Sequence, residues 1–286
     1  MSFNTSLSRI FVAPAITNHV GHDRMSPLPR CTVRHSEIWG GIGDADLDVC
    51  TSGINASVYS AVCGGERGGD VFYVSVCSKD LITRVVVADV RGHGQQVSHL
   101  SGWLYEEIQA HIDVLDGSSL LRSLNRKLCV KGFEALTTAA VVWYCTRNSK
   151  LYVSSAGHPP SFLHRNSGGP WMPMHASSTH EPSDLPLGVM ASTDFGMTAI
   201  SVEAGDRVAV YTDGITDCVN ENGEEFGEQR LRAVLEHCRG LDLSATKRCL
   251  VAALRTHAGQ APFEDDCTLV LIEISPHDSL CLGLTA

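Results

Sequence analysis

The sequence predicts an α+β fold: two antiparallel sheets packed face to face, each covered on its outer side by a pair of helices. The first observation behind this is the order of segments. Runs of strand-like sequence, then two helices, more strands, two further helices and a last strand are blocked together rather than alternating, which argues α+β. The second is that the strand-like runs are short, β-branched and bounded by glycine or polar turns. The third is size. With 286 residues, 43% of them hydrophobic, the chain has ample material for one large domain with a sizeable core.

The elements follow in order. Residues 1 to 50 show no clean period and read as a partly ordered extension, with Trp39-Gly-Gly-Ile-Gly as a loop. Ala56–Cys63, Val71–Cys77 and Ile82–Val90 read as strands. From Gln95 to Ile112, Val97, Leu100, Leu104, Ile108 and Ile112 recur at gaps of three or four, which is one face of a helix. Ser118 to Val130 repeats the pattern, with Ser118 or Ser119 as its cap. Thr137–Cys145, Leu151–Ser155 and Ser161–His164 are strands joined by short connections, so consecutive antiparallel pairing is expected. Residues 166 to 197, rich in Gly, Pro, Ser, Met and His, are expected to form a mobile flap. Ala199–Val202 and Arg207–Tyr211 are strands, Phe226 to Cys238 and Ser244 to His257 helices, and Cys267–Ile274 a final strand. The domain is therefore set at 51–276, with a loose tail over 277–286.

Composition excludes several classes. The formal net charge of −10, without a basic run, argues against nucleic acid or an anionic membrane as partner. No stretch approaches the roughly 20 apolar residues of a membrane span. The 11 cysteines form no Cys-x-x-Cys, and the 13 histidines show no zinc spacing with them. Cysteines inside apolar runs, such as Cys77 and Cys145, read as reduced core thiols of a cytoplasmic protein. The first 30 residues lack a secretory pattern.

The chemistry concentrates in aspartates at glycine-punctuated strand ends: Asp70 in Gly-Gly-Asp, Asp89 in Asp-Val-Arg-Gly-His-Gly, Asp213 in Tyr-Thr-Asp-Gly, and the pair Asp265-Asp266. Glycine lets the backbone turn sharply and approach a ligand there. Hard carboxylates brought together cannot all stay ionised without a counter-charge. Divalent magnesium or manganese is the natural one, so the pattern points to a metal-dependent hydrolase. Each motif alone has a plainer reading, since Asp-Gly is a common turn and Asp265 sits in an acidic run.

Taken as an ordered set, the motifs are more specific. Gly68-Gly69-Asp70, Ala88-Asp89-Val90-Arg91-Gly92-His93-Gly94, Ala156-Gly157-His158-Pro159-Pro160, Leu185-Pro186-Leu187-Gly188, Gly205-Asp206-Arg207, Tyr211-Thr212-Asp213-Gly214 and Asp265-Asp266-Cys267-Thr268 follow one another. In this order the chain, from Ala56 to Ile274, resembles the SpoIIE/RsbU-type branch of the PPM metal-dependent serine/threonine protein phosphatases. The resemblance implies a four-layer α-β-β-α sandwich with two Mn²⁺ or Mg²⁺ ions at one end of the sheets. It implies that Asp89 bridges both ions, that Asp70 and the Val90 carbonyl hold one, and that Asp213 and Asp265 hold the other. Asp89 and Asp213 are then the residues on which catalysis turns. A water held between the ions would hydrolyse a phosphoserine or phosphothreonine ester directly, without a phosphoenzyme. The substrate implied is a phosphorylated anti-sigma-factor antagonist in bacterial partner-switching signalling.

Other residues near the motifs carry weaker readings. Arg67, Arg91 and His93 are candidates to hold the phosphate. His93 is offset by two positions from the place where the animal-type branch carries a histidine, so a general-acid role does not transfer. His158 reads as shaping a tight turn, Asp217 as a cap, and Asp266 as a supporting carboxylate. The family pattern Gly-Gly-Asp-Phe-Tyr-Asp appears here as Gly-Gly-Asp-Val-Phe-Tyr-Val, without the second acid. Two other functions are compatible with such a chain: a catalytically weak PPM-fold module that only binds a partner, and a hydrolase of small phosphoesters.

Overall fold

A computed structural model describes residues 10–12, 30–33, 37–65, 67–92, 95–112, 114, 116–132, 135–176, 184–260 and 262–276. Fourteen strands and five helices are formed among them. The strands are β1 (Ile10–Val12), β2 (Arg30–Thr32), β3 (Ile38–Gly41), β4 (Ala45–Cys50), β5 (Ile54–Ala61), β6 (Asp70–Val76) and β7 (Ile82–Val90), then β8 (Thr137–Cys145), β9 (Lys150–Ala156), β10 (Ser161–His164), β11 (Met172–Met174), β12 (Thr198–Ser201), β13 (Arg207–Tyr211) and β14 (Cys267–Ile274). The helices are α1 (Gln95–Ala110), α2 (Gly117–Lys131), α3 (Asp213–Thr216), α4 (Gly227–His237) and α5 (Leu243–Ala258).

The strands build two seven-stranded sheets, ordered β1-β3-β6-β7-β8-β9-β12 and β11-β10-β13-β14-β5-β4-β2. The expected α+β sandwich is present, with one departure. Pairing is antiparallel in the body of each sheet, but β1 lies parallel to β3 and β2 parallel to β4. The stretch 1–50, read as a partly ordered extension, thus supplies four strands, two to each sheet.

Three apolar layers hold the elements together. Between the sheets lie Val49, Val58, Phe72, Val87, Val142, Val210 and Val270. Outside the first sheet, Tyr73, Val86 and Val141 meet Leu104, Leu121 and Leu124 of α1 and α2. Outside the second, Tyr211 and Leu269 meet Leu231, Leu235, Leu250 and Leu254 of α4 and α5. Because both faces are covered, β6 is buried along its whole length, and Val71-Phe72-Tyr73-Val74 within it is apolar on both faces. Each fully buried aliphatic side chain contributes about 1.5–3 kcal/mol. Truncation at a site such as Leu124, which is 1% exposed, costs about 2–5 kcal/mol.

Three local expectations are corrected. The cap of α2 is Asp116, whose carboxylate accepts from the Ser118 and Ser119 amides at 3.0 and 3.2 Å. The two serines sit inside the first turn that it caps. The short connection Gly157–Pro160 does not close a hairpin: β9 belongs to the first sheet and β10 to the second. It carries the chain across the open end of the sandwich instead. The described parts of 166–197 are packed, not a free flap. Here β11 pairs with β10, Leu187 and Phe195 are buried, and Leu187 bridges to Thr137. Residues 177–183 lie outside the described residues.

Candidate active site

The site is built at one end of the sandwich. In the antiparallel ladder of β6 and β7, Asp70 stands directly opposite Asp89. In the ladder of β7 and β8, Asp89 stands opposite Thr138. Side chains alternate along a strand, so Asp70 shares the inner face with Phe72 and Val74, and Asp89 shares it with Val87 and Val85. Asp70, Asp89 and Thr138 therefore replace the last apolar layer between the sheets with a polar one.

The second sheet answers with Thr212 and Thr268. By the same alternation these continue the inward rows Val208–Val210 and Val270–Ile272. The Thr212 hydroxyl donates to Asp70 Oδ2 at 2.8 Å and accepts from the Thr268 amide at 2.9 Å. Asp213 follows as the first residue of α3, and Asp265 stands in the turn before β14. The Asp213 carboxyl is half-buried and that of Asp265 exposed.

Electrostatics shows which carboxylates sense one another. Burial, and then the charges of Asp213, Asp265 and Asp266, push Asp89 up to about 7. Burial and the neighbouring Asp89 push Asp70 well above the usual carboxylate range, against the opposing pull of Thr268 and Thr212. Burial and Asp217 raise Asp213, and burial and Asp213 raise Asp265 against the hydrogen bond from the Asp266 amide. The structure thus brings Asp70, Asp89, Asp213 and Asp265 to one end of the fold, where their charges oppose one another. Among the described residues, no three His, Cys, Asp or Glu side chains close into a cage around one point.

Asp266 has a separate task. Its Oδ1 accepts from the Cys63 amide at 2.6 Å and its Oδ2 from the Gly69 amide at 2.5 Å. It therefore clamps the loop that leads into Asp70. The loop can lie this close only as glycine: a Cβ on Gly69 would sit 2.6 Å from the Val90 carbonyl oxygen. That carbonyl is held at the end of β7, beside Asp89, and the Val90 amide donates to Gly69 O at 3.3 Å.

Arg67 and Arg91 are exposed at the mouth of the same end. The Arg67 carbonyl accepts from Ser98 Oγ at 2.7 Å, and the Arg91 amide donates to Leu136 O at 2.9 Å. His93 lies outside the described residues. His158, in the crossover from β9 to β10, is buried, with Nδ1 2.9 Å from Thr138 Oγ1. Burial holds its imidazole neutral, with a pKa lowered to about 3 against the pull of the Tyr211 main chain. The Asp217 amide donates to Asp213 O at 2.7 Å and ends α3.

Sequence reasoning gave no role to Thr138, Thr212 or Thr268. The available signal was period two. Each threonine continues an inward-facing apolar row at a strand end, where a hydroxyl needs a partner.

A model of the family described as Stage II sporulation protein E (SpoIIE) matches residues 80–275. The chain belongs to the SpoIIE family. The phosphoserine phosphatase RsbU of Bacillus subtilis is 23% identical over 211 residues, 72% of this chain. The match spans only 59% of the length of RsbU. Among solved structures, the SiaA-PP2C domain of Pseudomonas aeruginosa superimposes with a TM-score of 0.66 at 18% identity, over 76% of this chain and 85% of that one. RsbX, solved in complex with magnesium, gives 0.60 at 18% identity, over 81% of this chain and 100% of that one. The SpoIIE-family chain therefore has the fold of PP2C phosphatase domains. No helix among its described residues is long and apolar enough to cross a membrane.

Proposed function

We propose that this SpoIIE-family chain is a divalent-metal-dependent phosphatase acting on phosphoserine or phosphothreonine in a protein. The observation that carries the reading is the pairing of Asp70 and Asp89 at adjacent strand ends, with Asp89 sensing Asp213 and Asp265 from the other sheet. Carboxylates so arranged repel one another and call for a counter-charge. Asp70 Oδ1 is buried and without a hydrogen-bond partner, which fits an oxygen reserved for a cation. The donor set is all oxygen, as magnesium and manganese prefer.

In this reading Asp70, Asp89 and the Val90 carbonyl would hold one ion, and Asp213 and Asp265, with Asp89, would hold the other. Such ions supply an activated water at neutral pH and neutralise phosphoryl charge. The chain's own residues do the rest. Asp89 stands between the two halves, opposite Asp70 in the ladder and within reach of the charges of Asp213 and Asp265. Asp266 holds the Gly68-Gly69 loop against the Val90 carbonyl, so the ligands arrive preset. Arg67 and Arg91 at the mouth offer cationic groups to the phosphate of an incoming phosphoprotein. His158 is buried and neutral and serves as structure, not as a proton donor. Both RsbU, named a phosphoserine phosphatase, and RsbX, solved with magnesium, support the reading. The proposed substrate is a phosphorylated anti-sigma-factor antagonist in a partner-switching pathway.

We also place the start of the catalytic domain at or before Ile38 rather than at residue 51, since β3 and β4 are inner members of the sheets. The test is phosphate release from a phosphoserine protein with Mn²⁺, with Mg²⁺ and with chelator. Turnover that needs metal and is lost in Asp89→Asn is the expected result. Faster hydrolysis of a nucleotide than of any phosphoprotein would overturn the substrate class.

A further inference from the structure

The two halves of the site belong to different sheets, and one side chain joins them. Thr212 is fully buried at the end of β13, directly before Asp213. Its hydroxyl reaches across the gap between the sheets to Asp70 Oδ2 at 2.8 Å. The Thr212 hydroxyl oxygen accepts from the Thr268 amide at 2.9 Å, and the Thr212 amide donates to Thr268 O at 3.0 Å. Thr268 is itself braced, with its hydroxyl donating to Ser60 Oγ at 3.1 Å. The hydroxyl of Thr212 thus has one donor fixed behind it, and its own proton is directed at Asp70.

We propose that Thr212 is a positioning residue that presents Asp70 to a divalent cation and sets its distance from the Asp213 half of the site. The inference rests on the metal reading above. Its physical basis is the asymmetry of the Asp70 carboxylate. Oδ2 is pinned by Thr212, while Oδ1 is buried and unpartnered. A carboxylate held through one oxygen rotates only by breaking that bond, so the other oxygen is aimed with less further ordering. Because Thr212 is covalently next to Asp213, the bond also ties the first sheet's ligands to the second sheet's. Serine preserves this linkage, and valine, of nearly the same shape, removes it.

The experiment measures Mn²⁺ binding to the full chain by the electron paramagnetic resonance signal of free Mn²⁺, independently of turnover. Thr212→Val is expected to weaken Mn²⁺ binding by roughly tenfold, the scale of a lost hydrogen bond to a charged group. Thr212→Ser is expected to bind as the unmodified chain does. In an Asp70→Asn background, Thr212→Val is expected to add no further loss, because the bond it removes no longer orients a ligand. Should the valine variant not fold, Thr212→Ala against Thr212→Ser makes the same comparison. Equal Mn²⁺ affinity with and without the hydroxyl overturns the proposal. So does a loss in Thr212→Val that persists in full beside Asp70→Asn, which would mark a general structural defect. If the unmodified chain binds no Mn²⁺, the metal reading fails, and this inference fails with it.

Discussion

The two halves of the candidate site are built differently. Asp70 and Asp89 face each other in a regular ladder at the centre of the first sheet, and Asp70 is only 2% exposed. Their spacing is set by strand geometry, with neighbouring strands about 4.7–4.9 Å apart. Asp213 and Asp265 stand instead on a one-turn helix and a turn, half-buried and exposed. Asp70 is buried and Asp89 half-buried on regular strands, whereas Asp213 and Asp265 stand on irregular backbone and Asp265 is open to water. An inner carboxylate is costly to the folded chain when nothing neutralises it. An outer one costs less, because water screens it. Function and stability should therefore oppose each other most strongly on the inner half.

Asp89→Asn gives the largest expected effect. Metal-dependent phosphate release should fall by roughly a thousandfold, the scale of losing a central electrostatic group. Without metal, the same variant should be more stable than the unmodified chain above about pH 7, because a half-buried charge repelled by its neighbours is gone. Asp265→Asn should also lose activity, with little change in metal-free melting temperature. Equal stabilisation by the two substitutions, read by thermal melts with chelator, would break the distinction between the halves.

The pH dependence sharpens it. A carboxyl whose pKa is raised on folding binds its proton more tightly in the folded chain. Its contribution to stability is full below its unfolded value near 4 and is lost as pH rises through its folded value. For Asp89 that folded value is about 7. Metal-free stability should therefore decline between about pH 4 and pH 7 by a few kcal/mol, at ~1.4 kcal/mol per unit. The decline should be shallower in Asp89→Asn. Chelator-treated protein whose melting temperature rises over this window would contradict the burial argument.

Asp266→Ala separates a supporting carboxylate from its neighbour. Asp266 is 6% exposed and accepts the Cys63 and Gly69 amides, so its loss leaves one half-buried and one buried donor without that partner. About 2–3 kcal/mol of stability should go with it. At the adjacent, exposed Asp265, alanine should cost about 0.5 kcal/mol or less in stability. Urea denaturation of the two variants, metal-free, compares them directly.

These contrasts show how far the sequence could be read. The bounds of β7, β8, β10, β13 and β14 match the strand-like runs from which they were expected, because these strands are buried on both faces for most of their length. Asp70, Asp89 and Asp213 stand out in the sequence because glycine borders them at strand ends; Asp265 has no such mark. What escaped has physical reasons. Trp39-Gly-Gly read as a loop, yet β3 runs through it and Trp39 packs on Phe72 with ring centres 5.4 Å apart. Glycine is required there because a Cβ on Gly40 would lie 2.3 Å from the Phe72 carbonyl oxygen. The crossover from β9 to β10 has hairpin length, but length does not say which sheet the next strand joins. Thr212 escaped because its role depends on a partner 142 positions away.

The smallest effect is expected at the mouth. Arg67 and Arg91 are exposed, and among the described residues their main chains make the bonds that tie them to the fold. Alanine at either position keeps those main-chain bonds, so stability should change by less than about 0.5 kcal/mol. If the arginines meet the phosphoprotein, each should raise KM a few-fold and leave kcat nearly unchanged, since an exposed charge contributes little once solvent screens it. Raising ionic strength should weaken the unmodified chain's substrate binding and narrow its gap from the variants. A drop in kcat instead, with KM unchanged, would move the arginine from the mouth into the inner half, where charge acts on the transition state.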